Sequence, residues 1–447
     1  MTDHPHAPRE IRLRWLILGA CGALVVLLAA LCWVGVRALL AERELKAVAP
    51  LAQQLRTQLD EQDTAALRTT SGDVGGHAAR AATLTGDPIW RATGLLPAPG
   101  PNLTAARVAS AQLDALANQV LSPLLSVASS LGSGGSSGGP LDLPAIQKAA
   151  PALATAERAA QGARSQLQSV SLAGVIPALA DGVVQLRTIT GQIEPTVTSI
   201  AGFARLAPSL LGSDGPRTIL VVLQNNGISG EFALLTADKG RLTLNTVSSD
   251  AGFPIRDTPI APVPASTTTL YGDVVGRFVQ NTTMPADFSL TAKLATAWWT
   301  TYKKVTPDAV LAIDPGVLQA VLTVIGPVSL PGGVELTAEN MWRTLLVEPY
   351  LTLDGAQQDE LFAAATTAIF GRLNSGDVSF VKLLQALATP AGQGRVSLWS
   401  SRADEQRIIA QGMLGGPSVR QRLAGADTFA VYFNDATGAK MDSFLQT

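Results

Sequence analysis

Cysteine and histidine are scarce in this 447-residue chain, which contains only two cysteines and three histidines. Both cysteines, Cys21 and Cys32, lie in an apolar run near the N-terminus, so the rest of the chain can form no disulfide and offers no thiol nucleophile. His4 and His6 precede that run, which leaves His77, beside two glycines, as the one imidazole after it. The sequence therefore excludes a zinc site of Cys and His and a Cys-His nucleophile, and leaves a Ser-His-Asp relay only if His77 serves it.

Charge is also sparse, since 15% of the residues are charged and the formal net charge is −2. Such a balance gives no positive field for nucleic acid, and we expect no nucleic-acid partner. Chemistry would have to rest on carboxylates, Arg and Lys, hydroxyls and backbone amides, which suit metal-assisted phosphate or sugar chemistry. The 47% of hydrophobic residues is enough for two or three packed domains.

One long uncharged segment, residues 15–36, is present near the N-terminus. It is long enough to cross a bilayer core of about 30 Å as a helix. Three arginines crowd residues 1–14 against one glutamate, whereas the cations after residue 36 are interleaved with glutamates. This bias predicts a cytoplasmic tail at 1–14, a single-pass transmembrane helix at 15–36 and an extracytoplasmic remainder in the cell envelope. A cleaved signal peptide is the alternative, but its apolar core would be shorter, roughly 7–15 residues.

Residues 38–211 read as an extracytoplasmic helical region, because Ala, Leu, Val, Gln and Arg dominate and strand signals are almost absent. Apolar residues recur at gaps of three or four from Leu172 to Leu210, which is typical of a helical bundle or stalk, with an oligomerising coiled coil as the alternative. We expect Pro177, Pro195 and Pro208 to kink or divide this stripe. Residues 132–139 form a Gly/Ser linker, and 86–91 and 96–101 read as turns.

An α/β domain is predicted for residues 214–447, since β-branched apolar runs begin at Thr218. Strands are expected at 218–224, 232–236, 241–247, 308–313, 396–399 and 428–433, and helices at 285–304, 315–325, 337–348, 356–373, 377–388 and 402–413. Strands alternating with helices favour a mixed sheet covered by helices on both faces. Trp298, Trp299 and Tyr302 on one of these helices read as core residues, with a sugar-stacking platform as the alternative.

Several stretches resemble the domain of unknown function 4012, found in a family of actinobacterial membrane-anchored proteins. They are residues 86–91 (GDPIWR), 215–226 (GPRTILVVLQNN), 284–288 (MPADF), 308–315 (DAVLAIDP), 325–328 (IGPV), 336–340 (LTAEN) and 432–440 (YFNDATGAK). None of them is a catalytic signature, and the resemblance implies an envelope setting and no known activity. The chain departs from the family after Asn226, where it has a shorter loop.

A second pattern is similar to that of the LytR-CpsA-Psr enzymes, which move glycopolymers from polyprenyl-pyrophosphate carriers onto the cell wall. Residues 217–222, 240–250 and 308–328 carry this similarity, which implies a LytR-CpsA-Psr-like fold and a glycopolymer or polyprenyl-linked lipid as partner. Those enzymes place an arginine immediately before the aspartate that matches Asp250, whereas this chain has Ser249 there. Serine does not neutralise a pyrophosphate, so the similarity implies the fold more than the reaction.

Polar residues that follow the first and third predicted strands are the candidate site. Asp250 is the best carboxylate for holding Mg²⁺, and Asp250 and Arg256 are the candidate catalytic pair. The candidate ligand-binding residues are Asn225, Asn226, Asp257, Asp273 and Arg277. Ligands commonly gather at the carboxyl ends of strands in such sheets. The alternative is that the charges are ordinary loop residues and that the two asparagines cap a turn.

Three functions remain open from the sequence. The first is a membrane-anchored, non-catalytic envelope protein that binds a wall polymer, a lipid-linked precursor or a protein partner. The second is a metal-dependent glycopolymer phosphotransferase of the LytR-CpsA-Psr type. The third is a stalk-and-head assembly component in which the helical region carries the interaction.

Overall fold

The structure, a computed structural model, describes residues 9–61, 63–132, 142–225, 228–375, 378, 380–424 and 429–431. The chain divides into two compact units. The first, here called the helical unit, comprises Met1–Ser126 and Ala152–Val197. The second, here called the α/β unit, comprises Val127–Pro151 and Thr198–Thr447.

Helices, and no strand, make up the regular structure of the described residues before Arg217. They are α1 (Arg9–Asp60), α2 (Thr64–Thr85), α3 (Pro88–Thr93), α4 (Gly100–Asp114), α5 (Ser122–Gly132), α6 (Leu143–Ser169) and α7 (Pro177–Leu210). A π-helical segment, Ala115–Leu121, joins α4 to α5 without a break. The expected helical character of this region is therefore found, whereas the stretch around residue 88, predicted to be a turn, contains the short helix α3. Asp87 accepts hydrogen bonds from the backbone amides of Ile89 and Trp90 and so caps this helix.

Helix α1 continues well beyond the predicted transmembrane segment. Its residues Leu24–Gln58 form a helix long and apolar enough to cross a membrane, the only one with both properties in the part of the chain that the structure describes. Beyond the apolar run, Val48 of α1 packs with Val74 and Ala78 of α2. His77 lies on α2 as well, where its Nδ1 is 2.6 Å from a carboxylate oxygen of Glu44 on α1.

Helix α7 contains most of the periodic stripe but is not divided by its prolines. Pro177 is its first residue, a position where the missing N–H costs nothing. Pro195 and Pro208 both lie within the continuous helix. Val183 and Val197 on the stripe are fully buried, whereas Ile193 is partly exposed, so the stripe supplies core residues only in part.

The α/β unit is built on a five-stranded mixed sheet with the order β3-β2-β1-β4-β7. Its strands are β1 (Arg217–Asn225), β2 (Ile228–Asp238), β3 (Arg241–Ser249), β4 (Ala309–Ile313) and β7 (Val396–Ser400), while β5 (Val328–Ser329) and β6 (Glu335–Leu336) form a separate pair. β1 pairs in parallel with β4, and the other neighbours are antiparallel. The tight turn between β2 and β3 uses Lys239 and Gly240, both at positive φ.

Helices of the α/β unit follow the strands in alternation. They are α8 (Ala265–Tyr271), α9 (Val274–Arg277), α10 (Phe288–Lys303), α11 (Pro315–Ile325), α12 (Met341–Leu346), α13 (Glu348–Thr352), α14 (Gly355–Leu373), α15 (Phe380–Gly392), α16 (Ala403–Ile409) and α17 (Pro417–Ala424). The predicted helix at 337–348 is thus shorter and is followed by α13, and the one predicted at 402–413 ends at Ile409. The strand predicted at 428–433 is wrong for residues 429–431, which have no regular structure, and its remaining residues lie outside the described ones.

The sheet is covered on both faces, as the alternating pattern predicted. On one face Leu220, Val222 and Phe232 pack against Trp298 and Trp299 of α10. The two tryptophans are fully buried, which confirms their role in the core. On the other face Val221 and Leu235 pack with residues from the end of α7 and from α16. A third cluster joins α11, α12, α14 and α15 beside the sheet.

Candidate ligand-binding cleft

A cleft of about 570 Å³ opens beside the sheet, between the ends of β1, β2 and β4 and the helices α11 to α14. Its volume lies within the roughly 300–1,000 Å³ of small-molecule sites. Leu223 and Gln224 of β1 and Gly230 and Glu231 of β2 form its floor. The pairing of β1 with β2 shifts register between Leu223 and Gln224, a bulge at the point where the strands meet the cleft. Such bulges commonly redirect side chains next to binding sites.

The walls of the cleft are largely apolar. Leu318 of α11 contributes to one side, and Met341 and Leu345 of α12 contribute to another. Tyr350 of α13 and Phe362 of α14 add two aromatic rings to the lining, with their ring centroids 6.1 Å apart. A chain of methylene groups would therefore find apolar contacts on most of its surface.

Helix α14 presents one face to the cleft along almost its whole length. Asp354 and Gln357 form a capping box that fixes its first turn. The residues that it contributes are Gly355, Ala356, Gln358, Asp359, Phe362, Ala365, Thr366, Ile369 and Phe370. They fall into groups at 355–356, 358–359, 362, 365–366 and 369–370, which recur every three or four residues as on a single helical face.

Three carboxyl groups lie at the polar end of the cleft, on Glu231, Asp250 and Asp359. The Thr366 hydroxyl donates a hydrogen bond of 3.3 Å to Glu231, which links α14 to β2. The Ser249 hydroxyl donates one of 2.9 Å to Asp359, which links β3 to the same helix. Two of the acidic side chains are thus held in place by hydroxyl groups from neighbouring elements.

The pKa of Glu231 is raised to about 7, chiefly by burial and to a smaller extent by the negative charge of Asp359. The hydrogen bond from Thr366 favours the ionised form and opposes both effects. Glu231 therefore changes its protonation state near neutral pH. In its protonated form it donates a hydrogen bond, and in its ionised form it accepts hydrogen bonds and attracts a cation.

No lysine or arginine is among the described residues that line the cleft. No group of three or more His, Cys, Asp or Glu side chains has an arrangement that could hold a metal ion, as far as the described residues extend. Asp250 as a Mg²⁺ ligand stays a prediction. A negatively charged phosphate entering the cleft would meet the carboxyl groups of Glu231 and Asp359, and the described lining residues include no lysine or arginine to offset their charge.

The predicted site residues are only partly brought together. Asp250, at the start of a short 3-10 turn after β3, lines the cleft as expected of a residue at a strand end. Arg256, Asp257, Asp273 and Arg277 are not among the lining residues.

The two arginines, Arg256 and Arg277, are instead joined by a hydrogen bond from a side chain to the backbone. Arg277 donates from Nε to the carbonyl oxygen of Arg256 at 2.9 Å, and its guanidinium lies 3.3 Å from the Asp273 carboxylate. Arg256 donates a 3.0 Å hydrogen bond to the hydroxyl of Tyr302. The charges of this group are engaged in the local structure of the segment after β3.

The two asparagines give less information. Asn225 is the last residue of β1 and pairs with Ile228 of β2 across the connection between the strands. Asn226 lies outside the described residues. Their roles as ligand-binding residues stay predictions.

Glu231, Asp359 and Thr366 are the site residues that the sequence analysis missed. Glu231 directly precedes the apolar run that begins at Phe232, and an acidic residue at the edge of a buried strand is a local signal that could have identified it. Asp359 and Thr366 give no such signal, because they lie on a helix that reads as amphipathic. Their place in the cleft depends on how α14 packs on the sheet.

Comparison with known proteins adds a family model and nothing further. Residues 214–350 match the model of a family described as "Protein of unknown function (DUF4012)". No curated protein and no solved structure matches the chain. The matched segment runs from just before β1 into α13, so it includes Glu231 and Asp250, whereas the part of the cleft formed by α14 follows it.

Proposed function

We propose that this protein is a membrane-anchored envelope protein whose α/β unit binds an amphiphilic ligand outside the cytoplasm without transforming it. The apolar part of the ligand occupies the cleft, and an amine or hydroxyl group at its polar end contacts the carboxyl groups of Glu231 and Asp359. One observation carries the proposal: the cleft combines apolar walls with an acidic end that has no cation among its described lining residues.

The apolar walls favour a hydrocarbon chain over a free sugar. Each methylene group transferred from water to such walls contributes about 0.8 kcal/mol. A sugar would bring many hydroxyl groups into contact with Leu318, Met341 and Leu345, which offer no hydrogen-bond partners. Among the envelope ligands expected from the sequence, a lipid or the lipid part of a precursor therefore suits the cleft better than a wall polymer alone.

The acidic end selects the polar group of the ligand. A protonated amine pairs with ionised Asp359, and a hydroxyl group can donate to either carboxylate. A phosphate or pyrophosphate is disfavoured by repulsion in a partly desolvated site. For this reason binding is a better proposal than glycopolymer phosphotransfer, in which developing phosphoryl charge needs cations or a metal.

The setting outside the cytoplasm rests on helix α1 and its flanks. The helix is long and apolar enough to cross a membrane, and the arginines before it favour a cytoplasmic N-terminus. The α/β unit would then meet ligands at the extracytoplasmic face of the membrane or in the cell wall.

The test is photolabelling of the full-length protein in lipid nanodiscs. Three probes share a decyl chain with a terminal diazirine and differ only in the polar group: an amine, a hydroxyl or a phosphate. Peptide mass spectrometry locates the label. We expect the amine and hydroxyl probes to label α12 and α14 at positions that line the cleft, and the phosphate probe to label them several-fold less.

Two results would overturn the proposal. Labelling confined to α1, with none in the α/β unit, would show that the cleft does not take an apolar chain. Equal labelling by the phosphate probe would show that the acidic end does not select the polar group.

A further inference from the structure

Exposed apolar side chains on α1 continue past Arg37, the first charged residue after the predicted membrane segment. Val36, Leu39 and Leu40 are all exposed, with Leu39 at 63%. Further along α1, as far as Gln58, no large hydrophobic side chain among the described ones is exposed. The helix surface thus changes from apolar to polar after Leu40, about one turn beyond Arg37.

Arg37 does not interrupt this surface, because its side chain turns toward α2. Its Nε donates a 2.8 Å hydrogen bond to the carbonyl oxygen of Leu84, and its Nη2 donates one of 2.9 Å to that of Thr83. The same guanidinium pairs with Asp87 at 2.8 Å. The charge that ends the uncharged run is therefore neutralised at the carbonyl end of α2, where a cation is also favoured by the helix dipole.

Helix α3 packs against α1 at the same level. Trp90 of α3 is buried in a cluster with Leu103 and with Val34, a residue inside the predicted membrane segment. Its indole N–H donates a 2.9 Å hydrogen bond to the carbonyl oxygen of Leu103. Trp90 packs in one cluster with Val34, which lies near the end of the predicted membrane segment. Helix α3 therefore lies at the depth where α1 would leave the membrane.

The outer side of α3 and the turn after it is apolar and uncovered. Leu95 is 86% exposed and Ile89 is 41% exposed. Trp33 of α1, 48% exposed, has its ring 5.3 Å from the Arg37 guanidinium. Tryptophan and arginine are among the side chains that membrane proteins place in the headgroup region.

We propose that residues 88–97, helix α3 and the turn that follows, lie in the headgroup region of the bilayer and form a second membrane contact beside α1. The occupant of this apolar surface is the lipid bilayer, because the surface is continuous with the membrane-spanning part of α1 and sits at the same depth. The helical unit is then seated directly on the membrane, with no spacer between them.

The test is a depth measurement on the full-length protein in nanodiscs, with Cys21 and Cys32 replaced by alanine. A nitroxide label is placed by Leu95→Cys, with Ile89→Cys as a second position in case the first variant folds poorly. Val26→Cys marks the bilayer core. Thr69→Cys marks the aqueous phase, because this exposed residue of α2 lies about 24 Å along the helix from Thr85. Collision with oxygen and with a water-soluble nickel complex reports the depth.

We expect the ratio of oxygen to nickel accessibility at position 95 to exceed that at position 69 several-fold and to remain below that at position 26. A ratio at 95 equal to that at 69, with 26 in the core, would overturn the proposal and leave the surface to water or to a protein partner. Equal ratios at 26 and 69 would overturn it as well, because α1 would then not span the membrane.

Discussion

At the scale of single residues, Glu231 makes the stability of the folded protein depend on pH. Because burial raises its pKa, the folded protein holds this proton more tightly than the unfolded chain does. Its contribution to stability is therefore fully present below pH 4.5 and is lost as the pH rises to about 7. Removing the ionisable group should remove this dependence.

We predict that Glu231→Gln stabilises the protein at pH 8 relative to the wild type and has little effect at pH 4.5. An increase of the pKa from 4.5 to about 7 corresponds to at most about 3 kcal/mol. Thermal unfolding of the full-length protein in nanodiscs, followed between pH 4.5 and pH 8, measures the difference. Glu360→Gln, an exposed carboxyl on α14, is the matched control, and a Glu231→Gln effect that does not change with pH would contradict the assignment.

A buried ion pair links the first strand of the sheet to helix α16. Arg217 at the start of β1 is 3% exposed and contacts Glu405 of α16 at 3.0 and 3.3 Å. Burial alone would raise the pKa of Glu405, but hydrogen bonds from Arg217, Ser209 and Ser400 hold it below its usual range. The pair therefore stabilises the fold at neutral pH and loses this contribution as the pH falls below 4.5.

We predict that Arg217→Met lowers the free energy of unfolding by about 3–5 kcal/mol, because the buried Glu405 carboxylate loses its hydrogen-bonded cation and keeps only the more distant Arg402, at 3.7 Å. The double variant Arg217→Met, Glu405→Met should recover most of the loss, since the buried carboxylate is removed together with its buried cation. Denaturant unfolding of the wild type, both single variants and the double variant closes the cycle. A double variant less stable than either single one would show that the network has another role.

At the scale of elements, local pattern predicted the secondary structure where short-range physics decides it. The alternating and β-branched runs correctly predicted five strands, β1, β2, β3, β4 and β7. The amphipathic runs correctly predicted the helices α10, α11 and α14. The short helix α3 was missed because Pro88 and Gly86 read as turn residues, although proline also begins helices well when an aspartate caps them.

The site was less accessible from sequence than the strands. Asp250 lines the cleft because a residue that directly follows a strand lies at the sheet edge, while its role there stays a prediction. Its neighbours Asp359 and Thr366 come from a helix far along the chain, and their closeness to Glu231 is a consequence of tertiary packing. Arg256 and Arg277 were expected at the site, but backbone and side-chain partners nearby hold them elsewhere.

Helix α14 supplies the test of the cleft as an element. We predict that Ala356→Trp, at an exposed lining position of its first turn, reduces photolabelling of the cleft by the amine probe several-fold, because the indole fills space that the chain would occupy. Thr367→Trp places the same side chain on the exposed face of the same helix and should leave labelling unchanged. Equal effects of both variants would indicate a general disturbance of α14.

At the scale of the whole molecule, the topology is open to a direct measurement. We predict that alkaline phosphatase fused after residue 200 is active, because the arginines before α1 favour a cytoplasmic N-terminus. Green fluorescent protein fused at the same place and exported by the general secretory route should stay dark. An inactive phosphatase fusion, or a mature chain that begins after Val36, would contradict this topology.

The same scale decides between binding and catalysis. We predict no phosphate release from geranyl pyrophosphate in the presence of Mg²⁺ or Mn²⁺, because Ser249 binds Asp359 where phosphotransfer would need positive charge. Phosphate release by malachite green, measured for the wild type and Asp250→Ala, is the assay. Metal-dependent turnover that disappears in the variant would make Asp250 catalytic and would favour the phosphotransferase alternative.

The attachment of Arg37 to the end of α2 has a consequence for bilayers of different thickness. In the proposed topology, Arg37 clamps α1 where the helix leaves the membrane, because the Arg37 guanidinium contacts Leu84, Thr83 and Asp87. A mismatch between the helix and a thicker or thinner bilayer must then be taken up at the opposite end, where arginines precede the apolar run and can extend toward the interface. Changes in lipid composition should therefore shift the N-terminal end of α1 and leave the height of the helical unit above the membrane constant.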